Sequence, residues 1–259
     1  MLNLRNTNII LGISGTVLAW LHVRYGASLY WLIPLLIAYS LLLFYGSYYI
    51  GSNFYIKVIC AAPDTPSLKQ IALSFDDGPA DEYTADILQI LKEEGVEAAF
   101  FCIGQRVPGR EALLRQAHEE GHVIGNHSYS HHLWFDLFSA RRMAADLGEA
   151  DKAIEGAIGL KPRFFRPPYG VTNPNLTRAI RRGGYIPVGW NIRSLDTVTK
   201  DETKLLLRVA DALKPGAIIL FHDTSRTTLS VLPEVIRRAR AGGYVFTRLD
   251  KMVNIAPYA

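Results

Sequence analysis

From residue 69 onward the sequence predicts an α/β fold, a distorted and reduced (β/α) barrel of about seven strands, preceded by an N-terminal transmembrane helical hairpin. Apolar, strand-like runs recur at 70–75, 97–104, 122–126, 164–166, 186–191, 216–221 and 244–247. Amphipathic stretches lie between them at 82–94, 110–119, 139–158, 175–182, 202–213 and 229–241, the alternation expected of a parallel sheet. The region is shorter than the roughly 250 residues of an eight-fold barrel, hence a reduced one. No repeat or second soluble domain interrupts it. In such barrels the functional groups collect at the C-terminal ends of strands.

The residues before this region read differently. With 49% hydrophobic residues in 259 and a positive mean hydropathy, the chain invites a search for membrane segments. A moderately apolar run covers 8–23 and a stronger one 28–50. A span needs roughly 20 residues, so the second qualifies and the first is marginal, and its short apolar core also resembles that of a signal peptide. Arg24-Tyr25-Gly26-Ala27 is expected to turn the chain between two helices. Trp20, Tyr25, Tyr30 and Trp31 gather at that turn and Tyr45, Tyr48, Tyr49 and Tyr55 at the far end, where interfacial aromatic belts belong. Residues 1–60 are thus expected to anchor the chain in the lipid bilayer as a multi-pass protein, 61–68 to be a linker, and 69–259 to be the catalytic domain. Arg5 and Lys57 oppose Arg24 in the turn, which tilts the catalytic domain toward the cytoplasm by a margin that one charge reverses; the sidedness stays open.

The net charge of +4 suits an anionic membrane or wall polymer and lacks the interleaved aromatics of a nucleic-acid surface. Arg178 to Arg182 and Arg237 to Arg240 read as solvated helix faces, with contact to anionic lipid or wall polymer as the weaker alternative. Cys60 and Cys102 lie in unrelated contexts, outside any Cys-x-x-Cys pair, and are not expected to form a disulfide. Oligomeric state leaves no trace in the sequence.

Chemistry concentrates at the strand ends. Ser74-Phe75-Asp76-Asp77-Gly78-Pro79 puts two adjacent carboxylates after the first strand, and desolvating both costs several kcal/mol unless a cation or proton compensates. His127-Ser128-Tyr129-Ser130-His131 follows the third strand, and four-residue spacing on a helical turn aims both imidazoles one way, as metal ligation requires. Two histidines and one carboxylate leave coordination positions open for water and substrate, and the other carboxylate is then free to act as a base. Arg166 after the fourth strand can hold that free carboxylate ionised, and His222 after the sixth can serve as general acid. Asp196 lies beyond the fifth. His118 reads as a helix-surface residue, His122 as strand entry, and His132 as either a neighbour of the ligand pair or merely exposed.

Ser-Phe-Asp-Asp-Gly-Pro, His-Ser-Tyr-Ser-His, Arg-Pro-Pro-Tyr-Gly and Leu-Phe-His, in this order across about 69–249, resemble the NodB-type polysaccharide deacetylases, carbohydrate esterase family 4. The resemblance implies a divalent metal ion, commonly zinc, bound by Asp77, His127 and His131, with Asp76 as general base tethered by Arg166. It implies that the Tyr169 backbone N–H stabilises the oxyanion, that His222 protonates the leaving amine, and that Asp196 tunes His222. The expected activity is hydrolytic removal of acetyl groups from an N-acetylated glycan of peptidoglycan or chitooligosaccharide type. The fourth motif departs from the family: Thr197 stands where a Trp is usual, and Arg193 where many members carry an Asp. Two alternatives remain open: deformylation or deacylation of a lipid-linked amino sugar, and a catalytically inactive glycan-binding membrane protein.

Overall fold

The computed structural model describes residues 2–62 and 69–259. Most of the expected linker, 63–68, lies outside the described residues. The strands are β1 (Gln70–Asp76), β2 (Ala99–Cys102), β3 (Val123–Asn126), β4 (Phe164–Phe165), β5 (Ile186–Pro187), β6 (Ile192–Arg193), β7 (Ala217–His222) and β8 (Val245–Phe246). They pair in parallel in the order β5-β4-β3-β2-β1-β7-β6, with β8 added beside the start of β1. No ladder joins β5 to β6, so the seven-strand path is an open half-barrel. The seven expected strands all occur; β6 is additional, its two residues too few to show a period.

The strand period of two decides which side chains enter the barrel. On β1, Ile71, Leu73 and Phe75 face outward and pack under α3 (Thr84–Glu93) and α8 (Arg226–Ala241), against Ile87, Leu88, Leu232 and Ile236. Each such side chain contributes about 1.5–3 kcal/mol by leaving water. Ala72 faces the interior with Phe101, Phe164 and Ile218, and the same parity carries Ser74 and Asp76 inward. His127 continues the parity of Val123 and Gly125, Arg166 that of Phe164, and His222 that of Ile218 and Leu220. Gly125 has no alternative, because a Cβ there would lie 2.6 Å from the Phe101 ring. The remaining catalytic-region helices are α4 (Glu111–Glu119), α5 (Ala140–Ile158), α6 (Pro174–Gly183), α7 (Glu202–Asp211) and the short α9 (Leu249–Val253), which the sequence reading did not anticipate.

Ahead of the barrel stand α1 (Leu4–Tyr25) and α2 (Leu32–Tyr48), with Gly26 left-handed at φ 69° after α1. Tyr39 donates to Asn8 Oδ1 at 2.9 Å between them. Among the described residues one helix, Leu29–Tyr48, is long and apolar enough to cross a membrane. The expected pair of spans is therefore reduced: α1 has the length, but Asn6, Asn8, Ser14, Thr16 and Arg24 dilute its apolar character. The base of this helix pair is not a loose tether. Thr172 N–H donates to Ser47 O at 3.0 Å and its hydroxyl to Gly46 O at 3.1 Å. Ile59 pairs with the free edge of β5, its N–H reaching Pro187 O at 3.0 Å and its carbonyl taking the Gly189 N–H at 2.8 Å. Ala62 N–H then reaches Gly216 O at 2.9 Å, so residues 59–62 run along the opening that the strands leave.

Candidate active site

Asp76 ends β1 in register with His222 of β7, so the expected base and acid are neighbours on adjacent strands. Arg166 is fully buried and donates through Nη1 to Asp76 Oδ1 at 2.6 Å. Its other nitrogens reach Gly189 O at 2.9 Å and Val188 O at 3.4 Å, and its guanidinium lies 4.0 Å over the Phe101 ring. A buried ion pair of this kind is tolerated because the cation's remaining donors are occupied. Burial lifts Asp76 above the ordinary carboxylate range, against the pull of Arg166.

Asp77 turns away at φ 79°, a left-handed conformation that few side chains adopt. The next residue must be glycine, since a Cβ on Gly78 would meet Asp223 Oδ2 at 1.9 Å. The turn points Asp77 Oδ1 at His127 Nε2, 3.6 Å away, and at His131 Nε2, 3.5 Å away. One ligand atom from each of the three lies within 4.8 Å of the others. His127 Nδ1 is 2.8 Å from Arg166 O; a carbonyl can only accept, so Nδ1 carries the proton and Nε2 presents its lone pair. Burial lowers His127 to about 3, which keeps that lone pair free near neutrality. Two imidazole nitrogens and a carboxylate oxygen are a donor set suited to a divalent ion with open positions.

The expected helical turn between the two histidines is absent. His127 to His131 form a loop in which Ser128 (φ 65°) and His131 (φ 41°) are left-handed. Side chains hold the loop instead: Asn126 Oδ1 accepts from Ser128 N–H at 2.8 Å, Ser128 Oγ from His131 N–H at 3.0 Å, and Asp146 Oδ1 from Tyr129 N–H at 2.7 Å. The Ser-rich spacing between the histidines was the available signal, since Ser and Asn bond locally to backbone and compete with helix. His132 is exposed, His122 is buried beneath β2 with burial lowering it to about 4, and His118 rests against Tyr258.

On the opposite wall Asp196, fully buried, accepts from His222 Nδ1 at 2.8 Å and from the His222 N–H at 2.7 Å. Ser194 and Thr228 hydroxyls also donate to it. Burial alone opposes an imidazolium at His222, but the Asp196 bond and the nearby carboxylates outweigh it and raise the group to about 9. Tyr169 sits at φ 59°, with its ring edge-on to His131 at 4.8 Å. The cavity among these groups measures about 290 Å³, and Thr197 and Arg193 stand on its rim with Trp190. The Arg193 guanidinium lies 5.8 Å from the centre of the Trp190 ring.

Asp223 was not singled out by the sequence reading. It is buried beneath Gly78, accepts from Thr84 Oγ1 at 2.7 Å, and is raised to about 7 by burial. Thr84 Oγ1 in turn accepts the Ala80 N–H at 2.9 Å, so Asp223 supports the turn that presents Asp77. Its place beside His222 was the only hint.

Comparison with known proteins identifies the family. Residues 64–188 match the polysaccharide deacetylase family. A peptidoglycan-N-acetylglucosamine deacetylase of Bacillus cereus is 31% identical over 191 residues, covering 72% of this chain and 89% of the relative. The peptidoglycan-N-acetylglucosamine deacetylase PgdA of Listeria monocytogenes is 30% identical over 201 residues, 76% of this chain; the match spans only 42% of that longer relative. The crystal structure of the Bc1960 peptidoglycan N-acetylglucosamine deacetylase superposes with a TM-score of 0.73 at 26% identity, covering 78% of this chain and 95% of that one. The chain belongs to the polysaccharide deacetylase family, the NodB-type carbohydrate esterases of family 4.

Proposed function

We propose that the chain is a metal-dependent N-deacetylase of an N-acetylated amino-sugar polymer, of peptidoglycan or chitooligosaccharide type, attached to a membrane through α2 with α1 alongside. The observation that carries the reading is the convergence of Asp77, His127 and His131 within 4.8 Å, flanked by Asp76 and His222 on adjacent strands. These three residues would hold the ion, zinc being common in the family. A divalent ion there supplies Lewis-acid activation of water and of the acyl oxygen.

The chain's own groups account for the remaining chemistry. Asp76 Oδ2 lies 3.8 Å from His127 Nε2, beside the ligand cluster, with its partner oxygen fixed by Arg166. It takes a proton from the attacking water, and its raised pKa strengthens it as a base. The Tyr169 N–H donates to the oxygen that becomes negative at the tetrahedral stage. His222, charged through Asp196, donates from Nε2 to the amide nitrogen as the C–N bond breaks, giving free amine and acetate. An inactive glycan-binding protein is expected to have lost a metal ligand, the base or the acid, and the presence of Asp76, Asp77, His127, His131 and His222 in the sequence supports the enzyme reading.

A second reading, hydrolysis of an N-acyl group on a lipid-linked amino sugar, is favoured by one observation. The helix pair is hydrogen-bonded to Thr172, three residues from Tyr169, so a bilayer around α2 lies close to the cleft. The metal-loaded full chain is assayed for acetate release from peptidoglycan, from chitooligosaccharide and from a lipid-linked N-acyl amino sugar. Turnover of a soluble or wall glycan supports the first reading, and turnover of the lipid-linked sugar alone supports the second. No turnover of any, with metal bound, overturns both.

A further inference from the structure

We infer that the seam between the helix pair and α6 is a binding site for the phosphate headgroup of an anionic membrane lipid, an inference that rests on the membrane attachment proposed above. A cavity of about 620 Å³ opens at this seam. Arg5 reaches it from the first turn of α1, Lys57 from the segment after α2, and Arg178 and Arg181 from one face of α6. Among the described residues no acidic side chain lines the cavity, and none of these four cations forms an ion pair. Arg178 has only the neutral Asn175 Oδ1, at 3.0 Å.

Five other cations of the surface are paired with carboxylates: Arg110 with Asp81, Arg240 with Glu94, Lys251 with Glu97, and Arg237 and Arg238 with Glu234. What sets this cleft apart is that four cations converge on one cavity with no carboxylate among its described lining. Four like charges around one cleft repel one another, and an anion between them relieves that repulsion. Guanidinium forks bind phosphate oxygens two at a time, so the three arginines favour phosphate over a simple halide.

The depth of the cleft selects the source of the phosphate. The start of α1 is fastened here by the Leu4 N–H to Phe54 O bond at 3.1 Å, just beyond the end of α2. Tyr45, Tyr48, Tyr49 and Tyr55 occur at this same end of the helix pair, and tyrosines of this kind mark the headgroup layer. Phe54 and Ile56 add an apolar lining beneath the charges, suited to the carbon backbone of a lipid. Basic residues flanking a span attract anionic lipid in this way. None of the four belongs to the proposed catalytic machinery.

The test uses the full chain reconstituted in vesicles of phosphatidylcholine alone and of phosphatidylcholine with phosphatidylglycerol. Lipid retained through detergent extraction is quantified by mass spectrometry. The wild type is expected to retain phosphatidylglycerol about tenfold above its bulk fraction. Arg178→Gln with Arg181→Gln should remove most of that enrichment. Arg5→Gln with Lys57→Gln, on the other wall, should do the same, and both pairs should leave acetate release from a soluble glycan unchanged. Enrichment equal in wild type and both variants overturns the inference. So does tight calorimetric binding of inorganic phosphate without lipid enrichment, which assigns the cleft to a soluble anion. A wild type that fails to float even with phosphatidylcholine vesicles refutes the membrane attachment itself, and the inference with it. Flotation without enrichment refutes the inference alone.

Discussion

At the barrel mouth Arg166 and Asp196 are 0% exposed and Asp76 and His127 are 3% exposed, while on the helix pair Val23 is 86% and Leu41 63% exposed. Each region reverses the ordinary rule that charge faces water and apolar groups do not. The reversals are sustained differently. At the mouth the buried polar groups are held by specific partners: Arg166 by Asp76, His222 by Asp196, and the His127 ring by the Arg166 carbonyl. On the helices many apolar side chains are exposed, the kind of contiguous patch that marks an interaction surface, and the membrane attachment proposed above would cover it. On the reading proposed above, one region would be completed by a cation and the other by lipid, and the two meet at residues 46–62.

The contrast breaks hardest at the ligand cluster. Asp77→Ala or His131→Ala removes one of three donors, and metal retained after gel filtration should fall to background. Turnover should drop by roughly a thousandfold or more, because Lewis-acid activation is lost with the ion. Full activity in either variant, with metal still bound, would contradict the ligand assignment.

Asp76→Asn tests the neighbouring carboxylate by separating its role from that of Asp77. The amide keeps the size and can still accept from Arg166, so metal content should match the wild type. Turnover should fall by about 10²–10⁴, the range of a lost general base. Near-wild-type rates would show that Asp76 is only a counter-ion for Arg166.

A smaller effect is expected from Asp196→Asn, read as a pH profile. His222 acts as an acid only when protonated, so its activity is present below its pKa and declines as pH rises through about 9. Removing the Asp196 charge leaves burial as the dominant influence, and burial lowers an imidazole. The alkaline limb should therefore move down by about two pH units, with little change in rate at acidic pH. The same shift has a stability sign: the raised pKa stabilises the fold below the ordinary histidine value and ceases to do so above about 9. An unmoved alkaline limb would assign it to another group.

How much of this the sequence revealed depends on whether the determinant was local. Short apolar runs alternating with amphipathic stretches located the main strands and put Asp76, His127, Arg166 and His222 at their ends, because the hydrophobicity of a run is a local property. The register that makes Asp76 and His222 neighbours follows from pairing across 146 residues of chain, which no local pattern encodes. The spacing of His127 and His131 suggested a helical turn, yet Asn126 and Ser128 hold a loop, a case of side-chain bonding to backbone overriding periodicity. Asp223 was hidden because its importance comes from touching Gly78, distant in sequence. The helix pair was legible as apolar, but the polar residues of α1 made two full spans too generous a reading. Its docking on β5 and Thr172 left no local signature.

That docking supplies the smallest effect and ties the two regions together. Thr172→Val keeps the volume and the β-branched shape while deleting the hydroxyl that donates to Gly46 O, in a residue only 2% exposed. Net loss of one buried hydrogen bond costs about 1 kcal/mol. Ile50→Ala, beside Gly189 and Gly170, should cost about 2–4 kcal/mol by leaving a cavity at the same junction. If residues 46–62 form a wall of the barrel, both variants should lower the unfolding temperature of the catalytic region, Ile50→Ala more than Thr172→Val. Activity at low temperature should change little, since neither residue touches the cleft. Melting temperatures unchanged in both would mean that the helix pair is a passive tether, and that the two regions share a chain without sharing a fold.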